Sequence, residues 1–296
     1  QPLPGIQYRT SQEPEVEDQD VNACMDGLRT TYNFYRTVFD RKSVDDDGLQ
    51  LEASIHYSIR FGNAFWDGTA KQMVFGDGDG NSRFGRFAGL FNPGCFVNSL
   101  DVIAHELTHA VTQFTANLEY QGQSGALNES MSDVFGAMVV QWKNDQTVDQ
   151  ADWLMGKDII YQNSESLPES AKNAHSLRSI KDPEASTNLD PQPASVQSTL
   201  YFKKEESTEE DDDYGGVHMN SGVPNFAFYK VAMALGGRSW DRAGKIWYDT
   251  LTDKRLQRKA KFVDFARLTV DHAQKLYPED KSVAQVVQKA WEEVGV

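Results

Sequence analysis

His105-Glu106-Leu107-Thr108-His109 sets two imidazoles four residues apart with a carboxylate between them. On a helix, residues i and i+4 lie about one turn apart on one face, so both imidazoles can converge on one zinc ion. Glu106 is rotated about 100° away and can sit beside a metal without ligating it. The flanking sequence predicts that helix. Asn98 and Ser99 are candidate caps, Asp101 falls in the first turn, and Ile103, Leu107, Ala110, Val111 and Phe114 form an apolar stripe. A core helix whose histidines are merely hydrogen-bonded would carry the same pentapeptide.

A catalytic zinc site takes three protein ligands and keeps a further position for water. Downstream, Gly125-Ala126-Leu127-Asn128-Glu129-Ser130-Met131-Ser132-Asp133 starts a second helical pattern, continued by Val134, Phe135, Met138, Val139 and Trp142. Glu129 and Asp133 are four apart and share a face. Glu129 can be the third ligand, and Asp133 can accept the distal N–H of a ligating histidine and fix its tautomer. The alternative is a pair of solvated helix carboxylates.

From His105 to Asp133, HELTH followed by NESMSD resembles the thermolysin family of zinc endopeptidases. Further matching segments occur in the family's order: Asn63-Ala64-Phe65-Trp66, Gly76 to Gly80, Tyr120-Gln121, Ser176-Leu177-Arg178, and Gly215-Gly216-Val217-His218-Met219-Asn220-Ser221-Gly222. The resemblance runs from about Tyr32 to the C-terminus, and the chain is most similar to the compact, protealysin-type members. It implies an α+β fold of two lobes. Residues 1–116 would form an α+β N-terminal lobe that includes the zinc-binding helix, and residues 117–296 a mainly helical C-terminal lobe. The active-site helix would cross the cleft between them.

The resemblance also implies roles. His105, His109 and Glu129 would ligate zinc and Glu106 would be the general base. Tyr120 and His218 would stabilise the tetrahedral oxyanion, Asp213 would orient His218, and Asp133 would support the first zinc ligand. Asn63, the Ala64 backbone and Arg178 would grip the substrate. The implied reaction is hydrolysis of internal peptide bonds without a covalent intermediate. Zinc lowers the pKa of its water toward about 7, and Glu106 takes that proton and later delivers it to the leaving amine. Val102, Leu177, Ile159 and Met155 would line a pocket for a bulky apolar residue just after the scissile bond. The same four side chains also suit an ordinary core.

The resemblance implies peptide and protein substrates as partners, and bulk properties argue against others. The net charge of −15 argues against nucleic acid or an anionic membrane as the main partner. No apolar run approaches the roughly eighteen residues of a membrane-spanning helix. Gln1 is a poor translation start and no signal sequence is seen, so the chain reads as processed or trimmed; the resemblance implies a propeptide that would have been removed. A secreted monomer is expected; an intracellular protein is the alternative. Cys24 and Cys95 are the only two cysteines. Bridging them would close a long loop, worth roughly 4 kcal/mol if unstrained, in an oxidising compartment. Two free thiols in an intracellular protein would be the other outcome.

Departures from the family bear on calcium. Asp101 stands where relatives have a calcium ligand, but Val140, Leu154 and Lys157 stand where carboxylates are common, so loss of the double-calcium site is expected. Lys157 would supply a positive charge in its place. The segment Gln162 to His175 is longer than usual, which puts a further calcium site in doubt.

Elsewhere the reading is coarse. Gln1 to Asp20 reads as a loosely attached tail, Val21 to Phe39 as a helix, and Leu51 to Tyr57 and Met73 to Phe75 as strands. Phe262 to Leu268 and Val283 to Val294 repeat at helical spacing. Gly76-Asp77-Gly78-Asp79-Gly80 and Asp45-Asp46-Asp47-Gly48 read as turns, Lys203 to Asp213 as a solvated charge run, and His56, His175 and His272 as structural or surface histidines. A catalytically silent zinc or peptide-binding module, a metal-free structural protein and an exopeptidase are the competing functions.

Overall fold

The computed structural model describes residues 3–59, 61–78, 91, 94, 96–160 and 172–296. Helix α1 (Gln19–Phe39) comes first, capped by the Asp18 side chain, which accepts from the Asp20 and Val21 N–H groups. The strands β1 (Ala53–Ser54), β2 (Ala64–Asp67) and β3 (Gln72–Phe75) form a sheet of order β1-β3-β2, with β1 parallel and β2 antiparallel to β3. Helices α2 (Leu100–Gln113) and α3 (Gly122–Lys143) follow, then the short pair β4 (Leu154–Met155) and β5 (Arg178–Ser179). The chain ends in helices: α4 (Asp213–Asn220), α5 (Gly222–Leu235), α6 (Ala243–Leu251), α7 (Phe262–Leu276) and α8 (Lys281–Glu293). This is the expected α+β architecture, with a small N-terminal sheet and a helical C-terminal part.

The α2–α3 pair is the centre of the core. Ile103, Leu107 and Val111 of α2 and Leu127, Met131, Phe135 and Met138 of α3 are all buried. Apolar residues on every side of α3 mark a helix enclosed by neighbours rather than lying on a surface. Each such Leu or Phe contributes about 1.5–3 kcal/mol by burial. Close approach needs small residues: a Cβ on Gly136 would lie 2.9 Å from the Asp101 carbonyl oxygen, so glycine lets α3 approach α2. On its other side α2 touches α1, where the Tyr35 hydroxyl is 2.8 Å from Thr108 Oγ1 and the Tyr35 ring stacks on Phe135.

Several local expectations change. The N-terminal segment is tied down: Asn22, buried in α1, bonds the Val16 N–H at 3.1 Å, the Val16 carbonyl at 2.8 Å and Arg9 Nη1 at 2.9 Å. Ser99 occupies the N-cap position of α2 without a capping bond; its hydroxyl donates to the Asp101 carboxylate, which accepts the Val102 N–H at 2.9 Å. Asp101 therefore does the capping. Asp45-Asp46-Asp47-Gly48 is a turn, as expected, with Asp45 Oδ1 accepting from three successive N–H groups at 3.0 Å. Asp79 and Gly80 lie outside the described residues, as does most of Gln162 to His175.

No described helix is long and apolar enough to cross a membrane. Cys24 is a free, buried thiol whose pKa burial raises to about 12. The expected bridge to Cys95 is therefore not seen at Cys24, and Cys95 itself lies outside the described residues.

Candidate active site

Helices α2 and α3 bring three donors to one point. His105 Nε2 and His109 Nε2 are 3.0 Å apart. Glu129 Oε2 is 3.4 Å from the first and Oε1 is 3.4 Å from the second. Zinc bonds of about 2.0–2.1 Å in tetrahedral array set neighbouring donor atoms about 3.3–3.4 Å apart, so the spacing of the two imidazoles and of each from the carboxylate is that of a zinc site.

Its protonation pattern also fits. His105 Nδ1 lies 3.0 Å from Asp133 Oδ1 and His109 Nδ1 lies 2.8 Å from Asn128 Oδ1. With both Nδ1–H groups donating outward, both Nε2 lone pairs face each other and Glu129. Glu129 Oε2 is buried without a hydrogen-bond partner. Lone pairs crowded this closely repel unless a cation stands between them, and the mixed imidazole–carboxylate donor set suits zinc.

The surroundings favour positive charge. At His105, burial opposes protonation, but Asp133 and Glu129 outweigh it and raise its pKa to about 10. Protons and a metal ion therefore compete for this place. Burial opposes ionisation of Asp133 as well, yet the Arg178 guanidinium and His105 hold its carboxyl below the usual range. Asp133 Oδ2 accepts from Arg178 Nη1 at 3.1 Å and from Asn225 Nδ2 at 2.9 Å. Arg178, expected against substrate, is thus engaged beside the metal triangle, while its Nε is buried without a partner.

Tyr120 and His218 meet at the outer side of Glu129. Tyr120 is 38% exposed as a residue, but its hydroxyl turns inward, donating to Glu129 Oε1 at 2.5 Å and lying 3.0 Å from His218 Nε2. Burial and the Glu129 charge push the Tyr120 pKa well up, which keeps the hydroxyl a donor. At His218, burial is outweighed by Glu129 and Asp213, so its pKa rises. Its Nδ1 is 2.6 Å from Asp213 Oδ1, and Asp213 Oδ2 accepts the His218 and Met219 N–H groups at 2.9 and 3.0 Å.

That last arrangement needs an unusual backbone. Asp213, Tyr214, Gly215 and Gly216 run through φ values of 54, 48, 87 and 83°, a left-handed turn that folds Asp213 back over His218. Glycine is required at its end. A Cβ on Gly215 would strike the Glu205 carbonyl and one on Gly216 would lie 2.8 Å from Phe202 Cβ.

The proposed substrate positions fall into two groups. β2 pairs only with β3 among the described strands. Gly76 N–H donates to the Asn63 carbonyl at 3.0 Å, so by antiparallel alternation the next residue, Ala64, directs its N–H and C=O away from β3 toward the open edge. Asn63 itself is exposed. Leu177 and Ile159 both flank Gly156, where a Cβ would come within 2.9 Å of Leu177 Cβ and 3.2 Å of Ile159 Cδ1. Met155, adjacent, is buried, and Val102 and Leu177 are partly open. Glu106 is 7% exposed on α2, between the two histidines.

The departures from the family's calcium pattern have a structural counterpart. The Asp101 carboxylate is committed to Ser99, Val102 and the Gly156 N–H, the last at 2.6 Å. Lys157 pairs with Asp152 at 2.5 Å. Asn128 and Asn225 were not singled out by sequence reasoning. Asn128 could have been found by asking what accepts from the second histidine; Asn225, far along the chain, carried no such signal.

A two-lobed fold with a His-His-Glu triangle beneath an ordered Tyr–His pair defines a zinc metallopeptidase. Residues 7–113 match the thermolysin metallopeptidase catalytic domain and residues 116–296 the thermolysin metallopeptidase alpha-helical domain. The chain belongs to the thermolysin family of metallopeptidases. It is 44% identical over 301 residues to an extracellular metalloprotease of Pectobacterium carotovorum subsp. carotovorum, spanning 100% of this chain and 78% of that protein. It is 42% identical over 299 residues to protease PrtS of Photorhabdus sp. (strain Az29), spanning 99% and 73%. The solved precursor of protealysin, a metalloproteinase from Serratia proteamaculans, superposes with a TM-score of 0.85 at 45% identity, covering 100% of this chain and 84% of that one. The chain is accordingly a protealysin-like, zinc-dependent neutral endopeptidase, as its motifs implied.

Proposed function

We propose that His105, His109 and Glu129 hold the zinc ion and that Glu106, beside them on α2, is the general base for hydrolysis of internal peptide bonds. The observation that carries this reading is the pair of imidazoles 3.0 Å apart, each 3.4 Å from one oxygen of the Glu129 carboxylate and fixed from behind. Zinc bound there supplies Lewis acidity and lowers the pKa of water toward about 7. Glu106 takes the proton of the attacking water and passes it to the departing amine. His218 Nε2 and the Tyr120 hydroxyl, 3.0 Å apart, donate to the oxygen on which negative charge develops. Asp213 holds the His218 ring with Nε2 protonated.

The substrate binds as an added strand on the Ala64 edge of β2, with Asn63 and Arg178 holding its polar groups. Val102, Leu177 and Ile159, with Met155 behind them, receive a bulky apolar side chain just after the scissile bond, because burying it gains about 25 cal/mol per Å². Residues 1–116 and 117–296 act as the two lobes. The Pectobacterium relative is named extracellular and the Serratia relative a precursor, which supports secretion of this chain with a propeptide that is later removed. It works as a monomer in that oxidising setting.

The test is hydrolysis of an end-blocked peptide with an internal Gly-Leu bond by the wild type and by Glu106→Gln, with zinc quantified in both. Zinc in both and cleavage by the wild type alone is the expected result. Full activity of Glu106→Gln would remove the general-base assignment, and zinc without cleavage by either protein would make the site a binding module.

A further inference from the structure

The segment Lys203 to Asp213 reads as a solvated charge run, yet one of its carboxylates is turned inward. We propose that Glu205 is a positioning residue for the Tyr120–His218 donor pair, acting as a latch between the loop before α4 and the start of α3. This rests on the reading of Tyr120 and His218 as oxyanion donors.

The side chain makes half of the latch. Both Glu205 carboxylate oxygens lie 3.1 Å from Gln123 Nε2, and Oε1 also accepts the Tyr201 hydroxyl at 2.5 Å. Gln123 is held from its other end, where Oε1 accepts the Phe262 N–H at 3.0 Å. The backbone makes the other half. The Glu205 carbonyl sits against two glycines with left-handed backbones, Gly122 at φ 52° and Gly215 at φ 87°. A Cβ on Gly122 would lie 2.7 Å from that oxygen, and one on Gly215 would collide with it. The neighbouring Glu206 carbonyl accepts from Gln121 Nε2 at 2.9 Å.

These bonds close a ring around the donors. Tyr120 directly precedes the latched stretch Gln121 to Gln123, and Gly215 lies in the left-handed turn between Asp213 and His218. The ring ends where the Tyr120 hydroxyl meets His218 Nε2 at 3.0 Å. Releasing Glu205 frees the turn and the start of α3 to shift independently. A misplacement of about 1 Å can lower a rate up to about 10²-fold. The zinc donors sit on helices anchored elsewhere in the core, so metal binding does not depend on the latch.

The experiment measures kcat, KM, zinc content and Tm for Glu205→Ala, Glu205→Gln, Tyr201→Phe, Tyr120→Phe, His218→Ala and the Glu205→Ala/His218→Ala double variant, on the end-blocked peptide. Glu205→Ala is expected to lower kcat about 10-fold, a fraction of the 10²–10³ for a lost donor, with KM and zinc unchanged. Glu205→Gln, which keeps an acceptor, recovers most of the loss. In the His218→Ala background the Glu205→Ala effect shrinks to within about 2-fold, because interacting sites are not additive. A full 10-fold effect persisting in that background, or a loss expressed only in KM or zinc, overturns the latch. Should Glu205→Ala not fold, Tyr201→Phe, which removes a single hydroxyl, takes its place in the same cycle. Wild-type rates for both His218→Ala and Tyr120→Phe would instead refute the donor reading, and the latch with it.

Discussion

Asn128 fixes the tautomer of His109 as Asp133 fixes that of His105, and the two acceptors differ in charge. Removing the neutral one isolates its contribution. Asn128→Ala leaves His109 Nδ1 without its acceptor at 2.8 Å and is expected to weaken zinc binding about 10–100-fold, read by competition with a chromophoric chelator. Asn128→Asp, which keeps an acceptor, should lose much less. The proposed ligands stand out in the sequence because they obey a helical period: i and i+4 for the histidines, and the same spacing for Glu129 and Asp133. Asn225 does not, since its bond to Asp133 joins residues 92 apart and follows from how α5 packs across α3.

Helices α1, α2 and α8 lie close to the bounds their sequence predicts, because apolar periodicity and capping residues are local signals. The pattern from Phe262 to Leu268 marks only the first half of α7, and α4 to α6 carry no such reading. Strand β1 departs from its pattern. Leu51 to Tyr57 alternates like a strand, but the regular register ends at Ser54: His56 takes a left-handed backbone at φ 54°, and only the Tyr57 N–H returns to the Phe75 carbonyl, at 3.1 Å. His56 is instead clamped between Asp77, at 2.5 Å, and Asp18, at 3.1 Å. Burial works against its charge, but the two carboxylates outweigh it and raise its pKa above 6.5. Its stabilising contribution is therefore full below 6.5 and lost as pH rises through the folded value. The Tm gap between wild type and His56→Gln should be largest near pH 6 and narrow as pH is raised beyond that. The left-handed turn was equally hidden: Gly215-Gly216 was visible as a motif, but the reversal it permits was not. Gly216→Ala places a Cβ at φ 83° and should destabilise by at least about 1–2 kcal/mol by chemical denaturation, with loss of kcat.

In the molecule as a whole, the proposed metal site joins two helices already welded by apolar packing. Chelation should therefore abolish activity and lower Tm without unfolding the protein at room temperature, and zinc alone should restore both. Calcium is a different case. A site filled at 100-fold excess over its Kd would add about 2.7 kcal/mol, visible as several degrees in Tm. With Asp101 committed to Ser99, Val102 and Gly156, and Lys157 paired with Asp152, no such rise is expected on adding calcium. The open side of β2 has a wider consequence. Over its four residues, about 14 Å of extended chain at about 3.4 Å per residue, Ala64 and Trp66 turn their backbone groups away from β3, unpaired among the described strands. A partner must surrender that much of its own secondary structure before it can lie there. In the proposed binding mode, selection among folded proteins is then made by the target's local unfolding equilibrium, and a stable protein is spared however many suitable bonds it contains.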